Sequence, residues 1–477
     1  MGLPKIFSHS TSVGSQSTDK PVFDDSKVEQ VQVEETPNGV TWTAEEEKKL
    51  VRKIDLFLLP TIWLMYLLSY MDRTNIGNAK IAGMADDLAL DSSKYSVALV
   101  VFFIGYVLCE PPSNMILVRS RPSRYLPAIM AVWGGLTCCM AAIKSYHHLI
   151  VLRIFVGILE SGFAPGILLI ISSWYKREEQ SKRFAVFISA AILSGAFGGL
   201  LAGAITGGLE GAGGLRGWRW LFIVEGVATI VWAGVSTFIL LDFPATSHRL
   251  TDRERDIAVT RLREGGVTVR SEDGPKYSKV KSFLMALKEW KTWGFVLGYM
   301  VIVGSSTLSY FYPTLVHNLG YKSTVQAQYM TVPIYAVAFV CTAVTGYFCD
   351  FIPGFRGVVI ASWLSFSLIT SILVCVLHNF TARYALLVLM AAGLWSSNAL
   401  SLSFASSAFG SMEPEVRAIA LAVVNAMGNL AQIYGAYLFP SGDGPQYVMG
   451  FGVISGLLAF GVVVYVSMHI LLRKQNS

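Results

Sequence analysis

Six charged side chains lie inside apolar stretches of this sequence, where water cannot readily solvate them. They are Asp72, Arg73, Glu110, Arg153, Glu160 and Glu225. A charge inside hydrocarbon costs about 2.5–3.5 kcal/mol even on the lenient insertion scale. We therefore treat each of these residues as a candidate for binding an ion or a charged ligand.

Asp72 and Arg73 are adjacent in the segment YLLSYMDRTNIGNAK (66–80). Neighbouring residues on a helix point about 100° apart, so one can face a cavity while the other meets a neighbouring helix. A guanidinium binds a carboxylate through two parallel hydrogen bonds and keeps its charge. We predict that Arg73 binds the carboxylate of a substrate, and the alternative is a structural salt bridge.

Arg153 and Glu160 are seven residues apart, which places them about 10 Å apart along a helix and nearly on one face. Both can therefore face the same cavity. A buried carboxylate is costly to ionise, which makes Glu160 a candidate proton carrier. The alternative is a structural Glu160 paired with Arg153 or with another helix. Glu110 and Glu225 lie near the ends of their segments, which favours gating or structural roles.

The C-terminal half offers neutral polar and aromatic side chains instead of buried ions. Those that can contact a ligand are Tyr310, Tyr312, Tyr335, Asn398, Asn425, Asn429 and Gln432. Asn425 and Asn429 are four residues apart and share a helix face. Polar residues also join membrane helices to one another, which is the alternative for each of them.

The elements that carry these residues are membrane-spanning helices. Apolar residues make up 53% of the 477 residues and charged residues 15%, and the mean hydropathy of +0.51 excludes an ordinary soluble protein. Twelve segments are long enough to cross about 30 Å of hydrocarbon. They are 54–80, 95–118, 125–144, 149–173, 184–208, 219–241, 293–316, 328–349, 357–377, 383–409, 416–439 and 447–472.

Several classes of function are excluded at this point. The six cysteines and seven histidines show no metal-ligand spacing, so we predict no metal and no cofactor. The sequence has no Gly-Lys dipeptide and hence no P-loop, so a gradient must drive any transport. We predict a transporter and not an enzyme, with no nucleic-acid partner.

The spans form two sets of six. We predict a disordered cytosolic tail (1–47), an N-terminal bundle (48–241), a cytosolic central loop (242–292), a C-terminal bundle (293–472) and a cytosolic tail (473–477). Outside the central loop, 18 basic residues lie on the side of the N-terminus and 7 on the other. Basic residues favour the cytosolic side, so both termini are predicted to be cytosolic. Asn379 of Asn379-Phe-Thr381 is then a weak candidate for glycosylation outside the cell.

Six motifs resemble the fungal allantoate permease family, within the anion:cation symporter branch of the major facilitator superfamily. The motifs are YMDRTNIGNAKI (70–81), YVLCEPPSNMIL (106–117), RIFVGILESGFAPG (153–166), SSWYKREEQSKR (172–183), GWRWLFIVEG (217–226) and NAMGNLAQIYGAYLFP (425–440). The resemblance implies the all-α major facilitator fold of twelve transmembrane helices in two six-helix bundles. It also implies uptake of small organic anions with protons, by alternating access.

The resemblance also implies roles for individual residues. Arg73 is expected to hold the substrate carboxylate, and Asp72 and Glu160 to carry protons. Tyr106 and a span 11 asparagine, either Asn425 or Asn429, are expected to contact the substrate.

Two loops resemble the Gly-x-x-x-Asp-Arg motif of the superfamily. Gly346 to Asp350, followed by Arg356, resembles this motif, and we assign Asp350 a gating or structural role. The first copy, 114–124, lacks the acid unless Glu110 or Glu178 replaces it.

We predict a monomeric, proton-coupled importer of a small organic anion at the plasma membrane. Export of an acidic secondary metabolite is the alternative. Proton antiporters of the superfamily usually carry a Gly-Pro pair in span 5, whereas SGAFGGLLAGAITGG (194–208) has six glycines and no proline. This favours import. A nutrient sensor would usually carry a longer cytosolic extension.

Overall fold

The computed structural model describes residues 42–264, 279–321, 323–410, 412 and 414–476, except for a few side chains that include those of Glu178 and Asp350. Most of the predicted N-terminal tail and residues 265–278 of the predicted central loop lie outside the described residues. The described part of the chain consists of α-helices joined by short turns, a few of them single turns of 3₁₀- or π-helix.

The first half of the chain forms eight α-helices. They are α1 (Ala44–Ala79), α2 (Ala85–Asp87), α3 (Ser92–Arg119), α4 (Pro122–Met140), α5 (Tyr146–Glu160), α6 (Phe163–Trp174), α7 (Arg177–Gly208) and α8 (Gly217–Ile239). Helix α1 begins within the predicted tail because Thr43 and Glu46 form a capping box. A π-helical turn, Lys80–Met84, follows α1.

The rest of the chain forms ten further α-helices. They are α9 (Asp252–Glu264), α10 (Lys279–Lys288), α11 (Trp290–Ser306), α12 (Tyr312–Asn318), α13 (Thr324–Tyr329), α14 (Val332–Phe351), α15 (Arg356–Val376), α16 (Phe380–Ala408), α17 (Pro414–Gly435) and α18 (Val448–Asn476). A 3₁₀ turn, Thr307–Phe311, separates α11 from α12.

Twelve helical units cross the fold, as the sequence predicts. Three of the units are interrupted: α5 with α6, α11 with α12, and α13 with α14. Within the described residues, eleven units are long and apolar enough to cross a membrane. The twelfth, α4, has 19 residues, or about 28 Å at 1.5 Å per residue, and its first turn, PSRY, is polar.

The units pack as two six-helix bundles. In the first bundle α4 packs on α8, α3 on α5, and α1 on both α7 and α8. In the second bundle α15 packs on α16 and α18, and α11 on α17. Between the bundles, α7 contacts α13 and α14, and α3 contacts α17.

The bundles meet at the end of the molecule where α1 ends and α3 begins, which we call the closed end. There Ser92 Oγ and Ser441 Oγ are hydrogen-bonded at 2.7 Å, and Ser96 Oγ donates to the carbonyl oxygen of Ala436 at 2.6 Å. The Thr206 hydroxyl donates to Gln328 Oε1 at 2.6 Å. Thr324 Oγ1 and Gln328 Nε2 also donate across the bundles at this end, each at 3.4 Å, to the carbonyl oxygens of Ile81 and Asn78.

Helix α9 attaches to the first bundle at the opposite end. Arg261 of α9 is fully buried and donates to the Trp174 carbonyl oxygen at 2.9 Å. It also forms ion pairs of 3.2 Å with Glu47 and Glu179. These contacts tie the start of the predicted central loop to α1 and α7, while α10 packs on α17 of the second bundle.

Candidate functional site

Arg73 and Glu160 form a buried ion pair between α1 and α5. Arg73 Nε donates to Glu160 Oε1 at 2.6 Å, and the two side chains are 5% and 0% exposed. The hydroxyl of Ser69, one turn earlier on α1, donates to the same oxygen. Glu160 is the last residue of α5, and the helical unit is interrupted before α6 begins. The pair therefore lies at the point where this unit bends.

Aromatic rings surround the guanidinium of Arg73. Its Cζ lies 4.9 Å from the ring centroid of Tyr70, 4.8 Å from that of Tyr106 and 5.6 Å from that of Phe102. A cation over aromatic faces is stabilised electrostatically, more strongly where water is excluded. Arg73 Nη2 is buried and has no hydrogen-bond partner among the described residues. The guanidinium is thus held by its Nε side and its faces, and Nη2 can donate to a further acceptor.

Arg153 lies two turns before Glu160 on α5 and is also buried. Its Cζ is 5.4 Å from the ring centroid of Phe102, the ring that Arg73 also approaches. Arg153 and Glu160 interact electrostatically, although the hydrogen-bonded partner of Glu160 is Arg73. Arg153 and Glu160 thus lie in the same region, but Glu160 forms its ion pair with Arg73 of α1 and not with Arg153 of its own helix.

Asp72 points away from its neighbour Arg73. Trp133 of α4 donates from Nε1 to Asp72 Oδ2 at 3.0 Å, while Asp72 Oδ1 has no partner in the described chain. Glu225 of α8 interacts electrostatically with Asp72. The two residues thus face different helices, in agreement with their spacing on α1.

The second bundle reaches this region through Tyr310, in the 3₁₀ turn between α11 and α12. The hydroxyl of Tyr95 donates to the Tyr310 carbonyl oxygen at 3.0 Å. A Cβ on Gly77 would lie 2.6 Å from that oxygen, so α1 can approach the turn only with glycine there. Tyr310 interacts electrostatically with Arg73 and Arg153. The site therefore lies where the two bundles meet.

Three aromatic residues of the site, Tyr70, Phe102 and Tyr299, were not predicted. Tyr70 lies three residues before Arg73 on α1, and this spacing could have identified it. Tyr299 of α11 is buried and lies near Tyr70 and Tyr106. Because Tyr299 is in the other bundle, no local pattern in the sequence could have connected it with Arg73.

The predicted asparagines lie on α16 and α17. Asn398, Asn425 and Asn429 are partly exposed, and Gln432 Nε2 donates to Asn429 Oδ1 at 3.3 Å. In the described chain no hydrogen bond joins them to Arg73 or Glu160, so their contact with a substrate stays a prediction. Two further tyrosines, Tyr312 and Tyr335, pack edge to face at 5.6 Å.

Glu110 lies one turn after Tyr106 on α3 and is partly buried. It interacts electrostatically with both Arg73 and Tyr106, so it is closer to the candidate site than a position at a helix end suggested. The side chains of Asp350 and Glu178 lie outside the described part of the chain. Asn379 caps α16, where its Oδ1 accepts from the backbone N–H of Ala382 at 3.2 Å.

Residues 62–436 match the family model of the Major Facilitator Superfamily, which covers well over half of the sequence. The chain belongs to the major facilitator superfamily. Members of this superfamily move small molecules across membranes, so the protein is a membrane transporter and not an enzyme.

Several major facilitator proteins of fungi are similar along almost the whole chain. The MFS transporter prlL of Fungal sp. (strain NRRL 50135) is 36% identical, over 90% of this chain and 87% of its own length. The MFS-type transporter cnsO of Penicillium expansum is 35% identical, over 91% of this chain and 85% of its own length. A high-affinity nicotinic acid transporter of Saccharomyces cerevisiae is 28% identical, over 90% and 79%.

Solved structures of the superfamily share the fold. A bacterial homolog of the human lysosomal transporter Spinster, in an inward-facing and unoccupied conformation, superposes with a TM-score of 0.67 at 16% identity, over 91% of this chain and 98% of that one. A point mutant of the nucleoside transporter NupG gives a TM-score of 0.60 at 12% identity, over 86% and 99%. At these identities the likeness concerns the major facilitator fold alone.

Proposed function

We propose that this transporter imports a small organic anion together with protons, by alternating access, and that it belongs to the allantoate permease branch. The observation that carries the proposal is the buried Arg73–Glu160 pair, with Arg73 Nη2 free to donate. A guanidinium with a free N–H in a dry aromatic site suits a carboxylate. The nicotinic acid transporter among the relatives carries a compound of this class.

Electrostatics can couple the anion to a proton in this arrangement. A substrate carboxylate at Arg73 would add a second negative charge beside Glu160, and Arg73 cannot keep its hydrogen bond to an ionised Glu160 and also pair fully with the substrate in a low-dielectric interior. Protonation of Glu160 removes the excess charge and releases Nε for the substrate. Anion and proton therefore stabilise each other, and Tyr106 and Tyr310 would close around the anion.

Orientation and location belong to the same proposal. The bias of basic residues supports cytosolic termini, and the closed end would then face outward while the described conformation faces the cytosol. We place the protein in the plasma membrane as a monomer. The two bundles are proposed to rock about Arg73, with domain boundaries near 48–241 and 293–472, and Asp72 is proposed as a second proton carrier.

The test is uptake into proteoliposomes with a panel of labelled carboxylates: nicotinate, pantothenate, allantoate and ureidosuccinate. With the lumen alkaline and the outside acidic, at least one compound should accumulate. Dissipating the pH gradient with nigericin should abolish accumulation. Protein-free liposomes supply the baseline.

Two results would contradict the proposal. Accumulation that does not depend on the pH gradient would show that transport is not coupled to protons. In intact cells, faster loss of the compound from expressing cells than from control cells would indicate export of the acid instead of import.

A further inference from the structure

Lys80 is a largely buried cation at the closed end and has no part in the candidate site. It follows α1 directly, as the first residue of the π-helical turn. Lys80 comes seven residues after Arg73, and seven residues turn a helix by about 700°, or roughly 20° short of two full turns. Lys80 therefore lies on nearly the same face of α1 as Arg73, about 10 Å nearer to the closed end.

Two aromatic rings, one from each bundle, lie against the ammonium group of Lys80. Its Nζ is 4.2 Å from the ring centroid of Tyr95 on α3 and 5.8 Å from that of Phe311, in the 3₁₀ turn of the second bundle. The two rings pack edge to face, with their centroids 5.6 Å apart. Lys80 therefore lies where the bundles meet, covered by rings that belong to both.

No acid of the described chain balances the charge of Lys80, whose Nζ forms no hydrogen bond or ion pair there. Of the acids that follow it in the sequence, Asp87 accepts hydrogen bonds of 2.8 Å from Arg216 and Trp218, and Asp86 is exposed. A buried ammonium without a counter-ion is costly, and contacts with aromatic rings offset only part of this cost. The ammonium would therefore be stabilised by an anion.

Opening of the closed end would uncover Lys80, because the contacts that cover it join the two bundles. Besides the ring pair, the hydroxyl of Tyr95 donates to the carbonyl oxygen of Tyr310 at 3.0 Å. When the bundles separate here, Tyr310 and Phe311 move away with the second bundle, whereas Tyr95 and Lys80 stay together in the first. The ammonium then faces the opening, on the helix face that leads to Arg73.

We propose that Lys80 is an outer binding site for the carboxylate of the transported anion, occupied before the anion reaches Arg73. The ammonium binds the carboxylate through charge-assisted hydrogen bonds. The carboxylate then moves inward along one face of α1 to the guanidinium of Arg73. When the bundles close, Tyr95 and Phe311 cover Lys80 again and separate it from the occupied inner site. The class of anion rests on the proposed function.

The first test uses no substrate and measures the attraction of Lys80 for anions with two charged thiol reagents. Ser92 lies one turn before Tyr95 on α3, at the contact between the bundles, so Ser92→Cys supplies a thiol that is uncovered when the closed end opens. The purified protein is labelled at low ionic strength with anionic sulfonatoethyl methanethiosulfonate or with its cationic trimethylammonium counterpart. Adding Lys80→Met should lower the anionic-to-cationic rate ratio severalfold, and Lys80→Arg should preserve the ratio. Protein that keeps Ser92 gives the labelling of the native cysteines.

The second test measures uptake of nicotinate, pantothenate, allantoate and ureidosuccinate. For each compound that the wild type accumulates, Lys80→Met should raise KM about 10-fold, the loss expected for one charge-assisted hydrogen bond, with little change in the maximal rate. Lys80→Arg should keep most of the affinity. Lys94→Met is the matched control, because Lys94 also lies over a ring, 6.0 Å from the centroid of Tyr146, but pairs with Asp91 at 3.9 Å. Gel filtration establishes that each variant is folded.

Two outcomes would overturn the inference. An unchanged rate ratio in Lys80→Met would show that the ammonium does not attract anions when the closed end opens. An unchanged KM would show that the substrate does not bind Lys80, and a lower maximal rate alone would make Lys80 a structural link between Tyr95 and Phe311. If no carboxylate accumulates, the proposed function fails, whereas the rate ratio still decides whether Lys80 attracts anions.

Discussion

Arg73 can act as a substrate site or as half of a structural salt bridge, and Arg73→Lys separates these roles. Lysine keeps the charge, so the ion pair with Glu160 can survive and the protein should fold. An ammonium cannot donate to Glu160 and a carboxylate in the guanidinium's fixed geometry. Binding should therefore weaken by about 2–3 kcal/mol, roughly 30- to 150-fold. Equilibrium binding of the labelled carboxylate measures this.

Arg183→Lys is the matched control for this variant. Arg183 binds Asp55 through Nε and Nη2 at 2.8 and 2.9 Å, but it lies at the end of the first bundle opposite the closed end. Binding of the carboxylate should be unchanged in Arg183→Lys. If Arg73→Lys also binds with wild-type affinity, Arg73 is structural.

Glu160→Gln imitates the protonated residue with nearly the same shape. Substrate-bound carriers should still reorient, because the expensive buried charge is absent. Accumulation should fail, since no proton is released and the pH gradient, about 1.4 kcal/mol per unit, no longer drives the cycle. Counterflow exchange should persist while pH-driven uptake is lost. Full pH-driven accumulation in this variant would assign the proton to Asp72 or another acid.

Residue types and helical spacing could predict much of the candidate site. The divergence of Asp72 from Arg73 follows from about 100° per residue, and the shared region of Arg153 and Glu160 follows from a seven-residue spacing. The pairing of Arg73 with Glu160 could not be predicted, because it depends on how α1 packs against α5. Tyr299 was missed for the same reason.

Three glycines of α7 allow this helix to pack closely against the second bundle. Gly195, Gly199 and Gly203 lie on one face of α7, four residues apart. A Cβ on Gly199 would overlap Thr331 Oγ1 and would lie 2.9 Å from the backbone oxygen of Gln328. The backbone oxygen cannot move aside as a side chain can. Small residues thus allow the two helices to approach closely.

Gly199→Ala should therefore hold the closed end apart and slow transport. Spin labels at Lys94 and Gly442, both at this end and at least partly exposed, should show a longer distance between the bundles than in the wild type. Gly198→Ala is the control, because its nearest neighbours would be 3.9 Å away. Equal distances in the two variants would show that the closed end tolerates a methyl group at Gly199.

The number and order of the elements could be predicted from hydropathy, and Gly162, Pro165 and Gly166 permit a bend near Glu160. The residues at which the helices are interrupted could not be predicted. Helix α5 ends at Glu160 and α6 begins at Phe163 within one continuous apolar segment, 149–173. Likewise, Thr307–Phe311 tightens into a 3₁₀ turn within segment 293–316. Apolar length sets whether a segment can span the membrane, whereas contacts with other helices decide where it bends. Both bends carry residues of the candidate site.

For the whole molecule, the plan of two six-helix bundles follows from twelve apolar segments in two sets. The sequence does not predict which end is closed, because this depends on contacts between residues that are far apart in the chain, such as Ser92 and Ser441. A transporter visits at least two such arrangements, and one sequence encodes both. If both termini are cytosolic, the closed end of the described arrangement should face outward.

A double variant, Ser92→Cys with Ser441→Cys, should form a disulfide across the closed end. The two hydroxyl oxygens are 2.7 Å apart, so the sulfur atoms can reach the roughly 2.05 Å of a disulfide with little movement. The bond would hold this end shut and stop transport, and either single variant should transport normally. In intact cells, a membrane-impermeant reductant should restore transport if the closed end faces outward. Recovery only with a membrane-permeant reductant would place this end on the cytosolic side and reverse the proposed orientation. Normal transport in the oxidised double variant would show that the bundles need not separate there.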